Sequence, residues 1–566
     1  MRRHLSPLGN AKEAVIALAG GPGQAAIPFI GQFAQLLGPI VSTRDLIAFD
    51  QRGTGVSHPL SCAAFEHLKR GITPLAVSIC AGQIGQTRGL YTTADTVADI
   101  EAIRQAGGYG KVILYGTSYG TKVAERYAQE YPSHVGALVL DSVVPPSGRD
   151  PFQQTTFAAV GRILHQLCVA HACAHITGEP VGDLARLVRR MGGGSVSARF
   201  VDGGGHAEEA HISANDLLGT LLEGDFNPIL RAEFPAAVRS AIDGDTAALA
   251  RLIARASGGE EGESEESLSE GFDTPLYYST ICEETTFPWN RGASPHARLK
   301  EAIAAARAEP SKAFAPFTAV NALALSDVPS CASWPFATPG PEVNEAPLPN
   351  VPTLILSGAD DLRTPTANAH EVAAEIPDAQ LLVVPNTGHS VLGSDPTPCA
   401  HNALQAFFEG KPVRQCKDTT PPALSMPTPL PPRSLNALAP PRDNHGKAGR
   451  TLDAAVLTVA DCERQLLLTL LGSASSELLQ TPSARAGGLL AGWCALAGTT
   501  QTFSGYSYVP GVTVSGTIVA GIAKLRIGGP AAAHGTLTIA RGALKGVLAG
   551  RHVHLTAAGA AEVEHG

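Results

Sequence analysis

A surplus of positive charge is missing from this sequence: its 42 Lys and Arg are outnumbered by 51 Asp and Glu, for a formal net charge of −9. A net charge of that sign gives no basic footprint overall, and nucleic acid is not an expected partner. Long apolar runs are missing too; none approaches the roughly 20 residues that a bilayer-spanning helix needs. The start, Met1-Arg2-Arg3-His4-Leu5-Ser6-Pro7, has the charge of an export signal but not the apolar stretch that should follow it. What is present is ordinary for a folded protein, 44% hydrophobic and 16% charged residues. At 566 residues the chain is too long for one core and leaves room for two or three domains.

The cysteines point in another direction. There are ten, at 62, 80, 168, 173, 282, 331, 399, 416, 462 and 494. An even count falling into sequence-local couples predicts five disulfides and an oxidising, extracytoplasmic compartment, reached through a signal that this N-terminus does not carry. The alternative is ten buried thiols. His165, Cys168, His171, Cys173 and His175 include zinc-ligating types, but their spacing matches no closed zinc site and a Cys168–Cys173 bridge accounts for it more simply. No metal is expected.

Short apolar β-rich runs alternate with helical patterns in two separate blocks. The first has strands at 14–18, 46–49, 112–115 and 137–140, with helices at 94–106 and 119–130. The second has strands at 353–356 and 381–384, with helices at 366–376 and 399–409. Continuous apolar strands separated by helices predict a mostly parallel sheet with helices on both faces. The core is therefore expected over 1–145 and 346–416, with 146–345 inserted as a helical lid over the site. An acidic run from Glu260 to Glu270 inside the insertion reads as a solvated loop. Residues 417–450 are rich in proline and read as a linker. Beyond it, a helix-like stretch from Leu452 to Leu471 and glycine-broken strands at 512–516 and 523–527 suggest a small accessory domain over 451–566 with a β-rich end.

One local motif carries chemistry. Gly116-Thr117-Ser118-Tyr119-Gly120 directly follows the strand at 112–115 and precedes a helical pattern. That context is the one a nucleophile elbow requires: a sharp turn exposing a serine between strand and helix, with glycines where side chains would collide. A serine hydroxyl is a weak nucleophile, so a base and its orienting acid must follow in the order Ser, acid, His. His389, in Pro385-Asn386-Thr387-Gly388-His389, is the base. For the acid, Asp361 competes with adjacent Asp360 and with Asp141 at the end of the strand 137–140. The loop Ala19-Gly20-Gly21-Pro22-Gly23-Gln24 follows the first strand and should supply an oxyanion hole from the amides of Gly21 and Tyr119. No Gly-Lys-Ser/Thr completes a phosphate-binding loop there. Asp50-Gln51-Arg52-Gly53-Thr54-Gly55 is expected to shape a structural turn near the site.

Gly20-Gly21-Pro22-Gly23, Asp50-Gln51-Arg52-Gly53-Thr54-Gly55, Tyr91-Thr92-Thr93, Gly116-Thr117-Ser118-Tyr119-Gly120, Asp361-x-x-Thr364-Pro365 and Gly388-His389 occur in this order. Over about 14–416 the set resembles the proline iminopeptidase and tripeptidyl aminopeptidase group of α/β-hydrolase serine peptidases. The resemblance implies an α/β-hydrolase fold and release of one or a few residues from a peptide's free N-terminus, with no cofactor. It selects Asp361 as the acid, three residues before Thr-Pro. It implies that Glu284, in Cys282-Glu283-Glu284, holds the substrate's amino group, and that Cys62 pairs with Cys80 and Cys399 with Cys416. It also implies two strands ahead of residue 14, for which the chain has no room, so an exposed sheet edge is expected there. A carboxylesterase using the same triad is the alternative enzyme, and a catalytically silent binding protein on this fold is the alternative outside enzymes.

Overall fold

A computed structural model of the chain describes residues 1–5, 12–65, 72–148, 150–258, 271–338, 346–472, 483–540 and 543–555. The acidic run expected as a solvated loop lies outside the described residues. The chain divides into two compact units, Met1–Ile163 with Ser264–Pro421 and Leu164–Glu263 with Pro422–Gly566. The segment expected as one insertion, 146–345, is thus distributed over both.

Along the chain the first strands are β1 (Arg2–His4), β2 (Glu13–Leu18), β3 (Asp45–Ala48), β4 (Lys111–Thr117) and β5 (Val135–Asp141). A hairpin of β6 (Ser195–Val201) and β7 (Ala207–Ser213) precedes β8 (Thr353–Gly358) and β9 (Ala379–Val384). The C-terminal strands are β10 (Ser483–Gly487), β11 (Ala491–Ala497), β12 (Thr500–Ser507), β13 (Thr513–Val519), β14 (Ile522–Gly528), β15 (Gly535–Ala540), β16 (Ala543–Leu548) and β17 (Arg551–Leu555).

In the first unit a seven-stranded sheet runs in the order β1-β3-β2-β4-β5-β8-β9. All its pairings are parallel except β1 with β3. The exposed edge expected ahead of residue 14 lies one strand further out than β3: Arg2–His4 pairs antiparallel with Leu46–Ala48, and its three residues are themselves exposed. The apolar runs are continuous because both faces are covered. Ala14, Ile16 and Leu18 of β2 pack toward Val97, Ile100, Val123 and Val372 of helices Thr93–Gly107, Tyr119–Glu130 and Thr366–Glu375. Val15 and Ala17 pack the other way, with Phe33 and Leu404 of helices Ile30–Leu37 and Cys399–Phe408. Parallel crossovers gather the loops after β2, β4, β5, β8 and β9 at one edge of the sheet, where α/β folds place their sites.

The second unit is built on an eight-stranded antiparallel meander, β10 to β17 in sequence order. Its apolar face holds Phe503, Val514, Leu525 and Leu537, which pack with Leu452, Ala455 and Leu466 of helix Gly446–Gly472. Arg251 of helix Ala247–Ala256 grips Asp461 of that long helix through two hydrogen bonds of 2.7 and 2.8 Å, and the Tyr506 hydroxyl donates to the same carboxylate at 2.7 Å. A buried pair is tolerated only when its hydrogen-bonding capacity is filled in this way. The hairpin β6–β7 interrupts a stretch that the sequence pattern marks as helical.

All ten cysteines are bridged: Cys62–Cys80, Cys282–Cys331 and Cys399–Cys416 in the first unit, Cys168–Cys173 and Cys462–Cys494 in the second. The bond between Cys168 and Cys173 removes the thiolates that a zinc site would draw on.

One side chain departs from the packing logic. Glu125 of helix Tyr119–Glu130 is fully buried, and neither of its carboxyl oxygens has a hydrogen-bond partner among the described residues. Burial drives its pKa well above the ordinary 4.5, with Glu375 and Glu371 adding to the effect and Lys122 opposing it. A carboxyl protonated in the fold but free to ionise when unfolded makes stability fall as pH rises from the unfolded pKa through the folded one. Glu125→Gln is therefore expected to raise stability at pH 8 by about 1–3 kcal/mol, read from urea unfolding midpoints, and to change it little at pH 4. An equal shift at both pH values would mean that the carboxyl is ionised in the fold.

Candidate active site

The site is built from the turn after β4. Ser118 has φ 55° and ψ −123°, and the helix Tyr119–Glu130 begins at the next residue. A non-glycine residue held left-handed costs on the order of 1–3 kcal/mol, so the surroundings must enforce it. They do so by close approach: a Cβ on Gly116 would lie 2.4 Å from the Gly120 carbonyl oxygen, and one on Gly120 would lie 2.4 Å from that of Leu18. The Ser118 amide donates to the Asp141 carbonyl at 2.9 Å, fixing the elbow to the end of β5.

The expected base and acid meet. His389 Nδ1 is 3.0 Å from Asp361 Oδ2. Asp361 also accepts from the Thr364 amide at 2.8 Å and the Thr364 hydroxyl at 2.6 Å. Burial works against its charge, yet the His389 charge and the hydrogen bonds from His389 and Thr364 outweigh it and hold the carboxyl below its ordinary value. An ionised Asp361 on Nδ1 fixes the proton on that nitrogen and leaves Nε2 as the acceptor. Asp360, the adjacent rival, is buried away from this contact, and its charge acts on Arg162.

Asp141, the other rival, holds the histidine loop instead of the histidine ring. Its carboxylate accepts from the amides of Val391 at 2.6 Å and Leu392 at 3.0 Å, while Ser142 Oγ accepts from the Ser390 amide at 2.8 Å. Burial pushes Asp141 up to about 6 against those donors. The acid loop is tied to the same place, since the Asp360 amide donates to the Thr387 carbonyl at 2.9 Å.

The glycine-rich loop lies against the serine: a Cβ on Gly20 would stand 3.3 Å from Ser118 Cβ. Its backbone is held from the other side by Gly271–Asp273, with the Asp273 amide donating to Gly23 at 2.7 Å and the Ala25 amide to Gly271 at 2.6 Å. Asp273 also caps helix Thr274–Glu284 through the Leu276 amide at 2.7 Å, and burial raises its carboxyl to about 7. Sequence reasoning did not mark this segment, which has no motif of its own.

Gly21, Tyr119 and Glu284 line one pocket, together with Lys122, Tyr277 and Asp327. Glu284 Oε2 accepts from Lys122 Nζ at 2.6 Å and from Thr93 Oγ1 at 2.8 Å, and Thr93 Oγ1 also meets the Tyr119 hydroxyl at 2.8 Å. The Thr93 amide bonds Glu284 Oε1. Thr92 caps helix Thr93–Gly107 in a capping box with Asp95, so Tyr91-Thr92-Thr93 is the helix start that delivers Thr93 to Glu284. Lys122 is the partner that the sequence reading missed. Neighbouring Glu283 is turned away, accepting from Arg291, Trp334 and Thr338. Arg52 is held by Asp99 at 2.7 and 2.8 Å and by Asp95 at 3.2 Å, and Asp50 accepts from the amides of Ile27 and Val56, which makes 50–55 a braced turn.

Comparison with known proteins places this geometry in context. Residues 13–162 match the family described as alpha/beta hydrolase fold, and residues 315–419 match the one described as TAP-like protein. The chain is similar to serine protease Hip1 of Mycobacterium tuberculosis, 30% identical over 30% of this chain and 36% of that one. It is similar to tripeptidyl aminopeptidase of Streptomyces lividans, 30% identical over 24% of this chain and 29% of that one. It also resembles proline iminopeptidase of Neisseria gonorrhoeae, 35% identical over 23% of this chain and 32% of that one. The chain spans about a third of the length of the curated relatives it matches. The parallel sheet, the elbow after β4 and both family matches fall on the first unit, which has the α/β-hydrolase fold and is similar over 315–419 to TAP-like proteins.

Proposed function

We propose that this chain is an extracytoplasmic serine aminopeptidase that releases residues or short peptides from a free N-terminus through an acyl-enzyme on Ser118. The observation that carries the reading is the Asp361–His389 hydrogen bond on a loop pinned, through Asp141 and Ser142, to the strand end that also holds the Ser118 amide. His389 Nε2 takes the Ser118 proton as Oγ attacks the scissile carbonyl, and Asp361 stabilises the imidazolium that forms. The amides of Gly21 and Tyr119 receive the oxyanion, with the positive end of helix Tyr119–Glu130 behind them. His389 then protonates the departing amine, and a water activated by the same nitrogen hydrolyses the ester to regenerate Ser118.

The free amino end is assigned to Glu284. A carboxylate 13% exposed in the pocket that also holds Gly21 and Tyr119 attracts an ammonium strongly, because water screens it little. Lys122 already sits on that carboxylate, so the substrate's ammonium competes with it. Similarity to a serine protease, a tripeptidyl aminopeptidase and a proline iminopeptidase supports peptides as substrates, and the five bridges support the extracytoplasmic setting.

Prolyl- and alanyl-arylamides, their N-blocked counterparts and a short-chain ester separate the readings. Ser118→Ala should lower arylamide turnover by on the order of a millionfold, and the N-blocked compounds should be poor substrates of the unmodified chain. Cleavage of the ester alone would replace the peptidase by a carboxylesterase, and no turnover by folded protein would leave a binding module. Glu284→Gln is expected to raise KM for free-amine arylamides about tenfold while kcat stays within a few-fold, since the contact serves ground state and transition state alike. A matching loss on the N-blocked compounds would show Glu284 to be structural.

A further inference from the structure

Charge is unevenly distributed along this chain. From Leu478 to Ala561 there is no Asp or Glu, yet six Lys and Arg fall in that stretch of a protein whose net charge is −9. The described part of the stretch is the meander β10–β17, whose apolar face is closed by its own unit. The alternate residues face outward. Register sets Thr517, Lys524, Thr538, Lys545 and His554 opposite one another from β13 to β17, and all five are exposed. A second row runs Ser515, Arg526, Thr536, Val547 and His552.

At its β10–β11 end this face is occupied. Gly205 in the turn of the β6–β7 hairpin lies against Trp493, over which Arg485 stacks at 4.0 Å. From β13 onward it is open among the described residues, with a shallow groove along Ser515, Lys524, Arg526, Thr536 and Thr538. Strands about 4.8 Å apart put Lys524 and Lys545 about 10 Å from each other across the sheet, and Arg526 stands about 7 Å from Lys524 along its strand. Opposite charges normally alternate on an exposed sheet face because like charges facing each other destabilise it. Here the cations are separated by hydroxyls, and no carboxylate in the meander answers them.

We infer that this face binds an anionic polysaccharide. Lys524, Arg526 and Lys545 meet its carboxylate, sulfate or phosphate groups, while Ser515, Thr517, Thr536 and Thr538 meet the ring hydroxyls between them. A flat, repeating array of cations and hydroxyls suits an extended polymer with regularly spaced acid groups. The two rows contain no Phe, Tyr or Trp for bases to stack on, which disfavours single-stranded nucleic acid. Val547 is the one large apolar side chain in the rows, and exposed Val519 and Ile522 stand at the β13–β14 turn, too little together for a bilayer surface to grip. The Cys462–Cys494 bridge in the same unit fits an oxidising space, away from the nucleic acids of the cytoplasm.

The test uses the full chain and polygalacturonate immobilised on a sensor, with neutral dextran, duplex DNA and phosphatidylglycerol vesicles beside it. Retention on polygalacturonate above dextran is expected at low salt, with loss near about 0.5 M, where the Debye length is only a few Å. Lys524→Gln, Arg526→Gln and Lys545→Gln combined should weaken binding about tenfold or more. Val547→Lys, which adds a cation to the second row, should strengthen it. Both variants should keep the parent's melting temperature and arylamide turnover. Equal retention on dextran, undiminished binding by the triple variant, or tighter binding to DNA or vesicles than to polygalacturonate would overturn the proposal.

Discussion

The buried carboxylate of Asp141 organises the site. It ends a central strand of the parallel sheet, its carbonyl takes the Ser118 amide, and its side chain takes the two amides that follow Ser390. One residue therefore fixes the Ser118 turn from its backbone and the His389 loop from its side chain. A carboxylate in so dry a place is tolerated because backbone donors surround it, and its elevated pKa measures what burial still opposes. Everything proposed for the chemistry relies on two loops from distant parts of the chain, after β4 and after β9, being brought into fixed register there.

The sheet was legible because its strands are buried on both faces and so appear as unbroken apolar runs, such as Val112–Tyr115 and Leu354–Leu356. The elbow was legible because steric demand writes itself in glycine: Gly116 and Gly120 each face a backbone carbonyl at a distance no side chain tolerates. Asp361 could not be separated from Asp360 by pattern alone, since consecutive residues after a strand differ only in direction. The threonine three places on, donating from both amide and hydroxyl, is what distinguishes the two in space.

Other parts were not legible, for identifiable reasons. Arg2–His4 is three residues long, too short for any periodicity, and it becomes a strand only because β3 offers an edge. The hairpin at 195–213 buries only Ala198, Val201 and Ile212 and mixes them with exposed polar residues, so its two short strands stand out weakly against their helical surroundings. The Lys122–Glu284 pair joins residues far apart in sequence, and single residues on two helices leave no local signature.

The bridges share an order that bears on how such a chain is made. Each cysteine is joined to the next one along the sequence, from Cys62–Cys80 through to Cys462–Cys494. A polypeptide threaded N-terminus first into an oxidising compartment would present each thiol's rightful partner as the next to arrive. Sequential oxidation in that order would yield the native set directly, with no bond to be broken and remade by thiol–disulfide exchange.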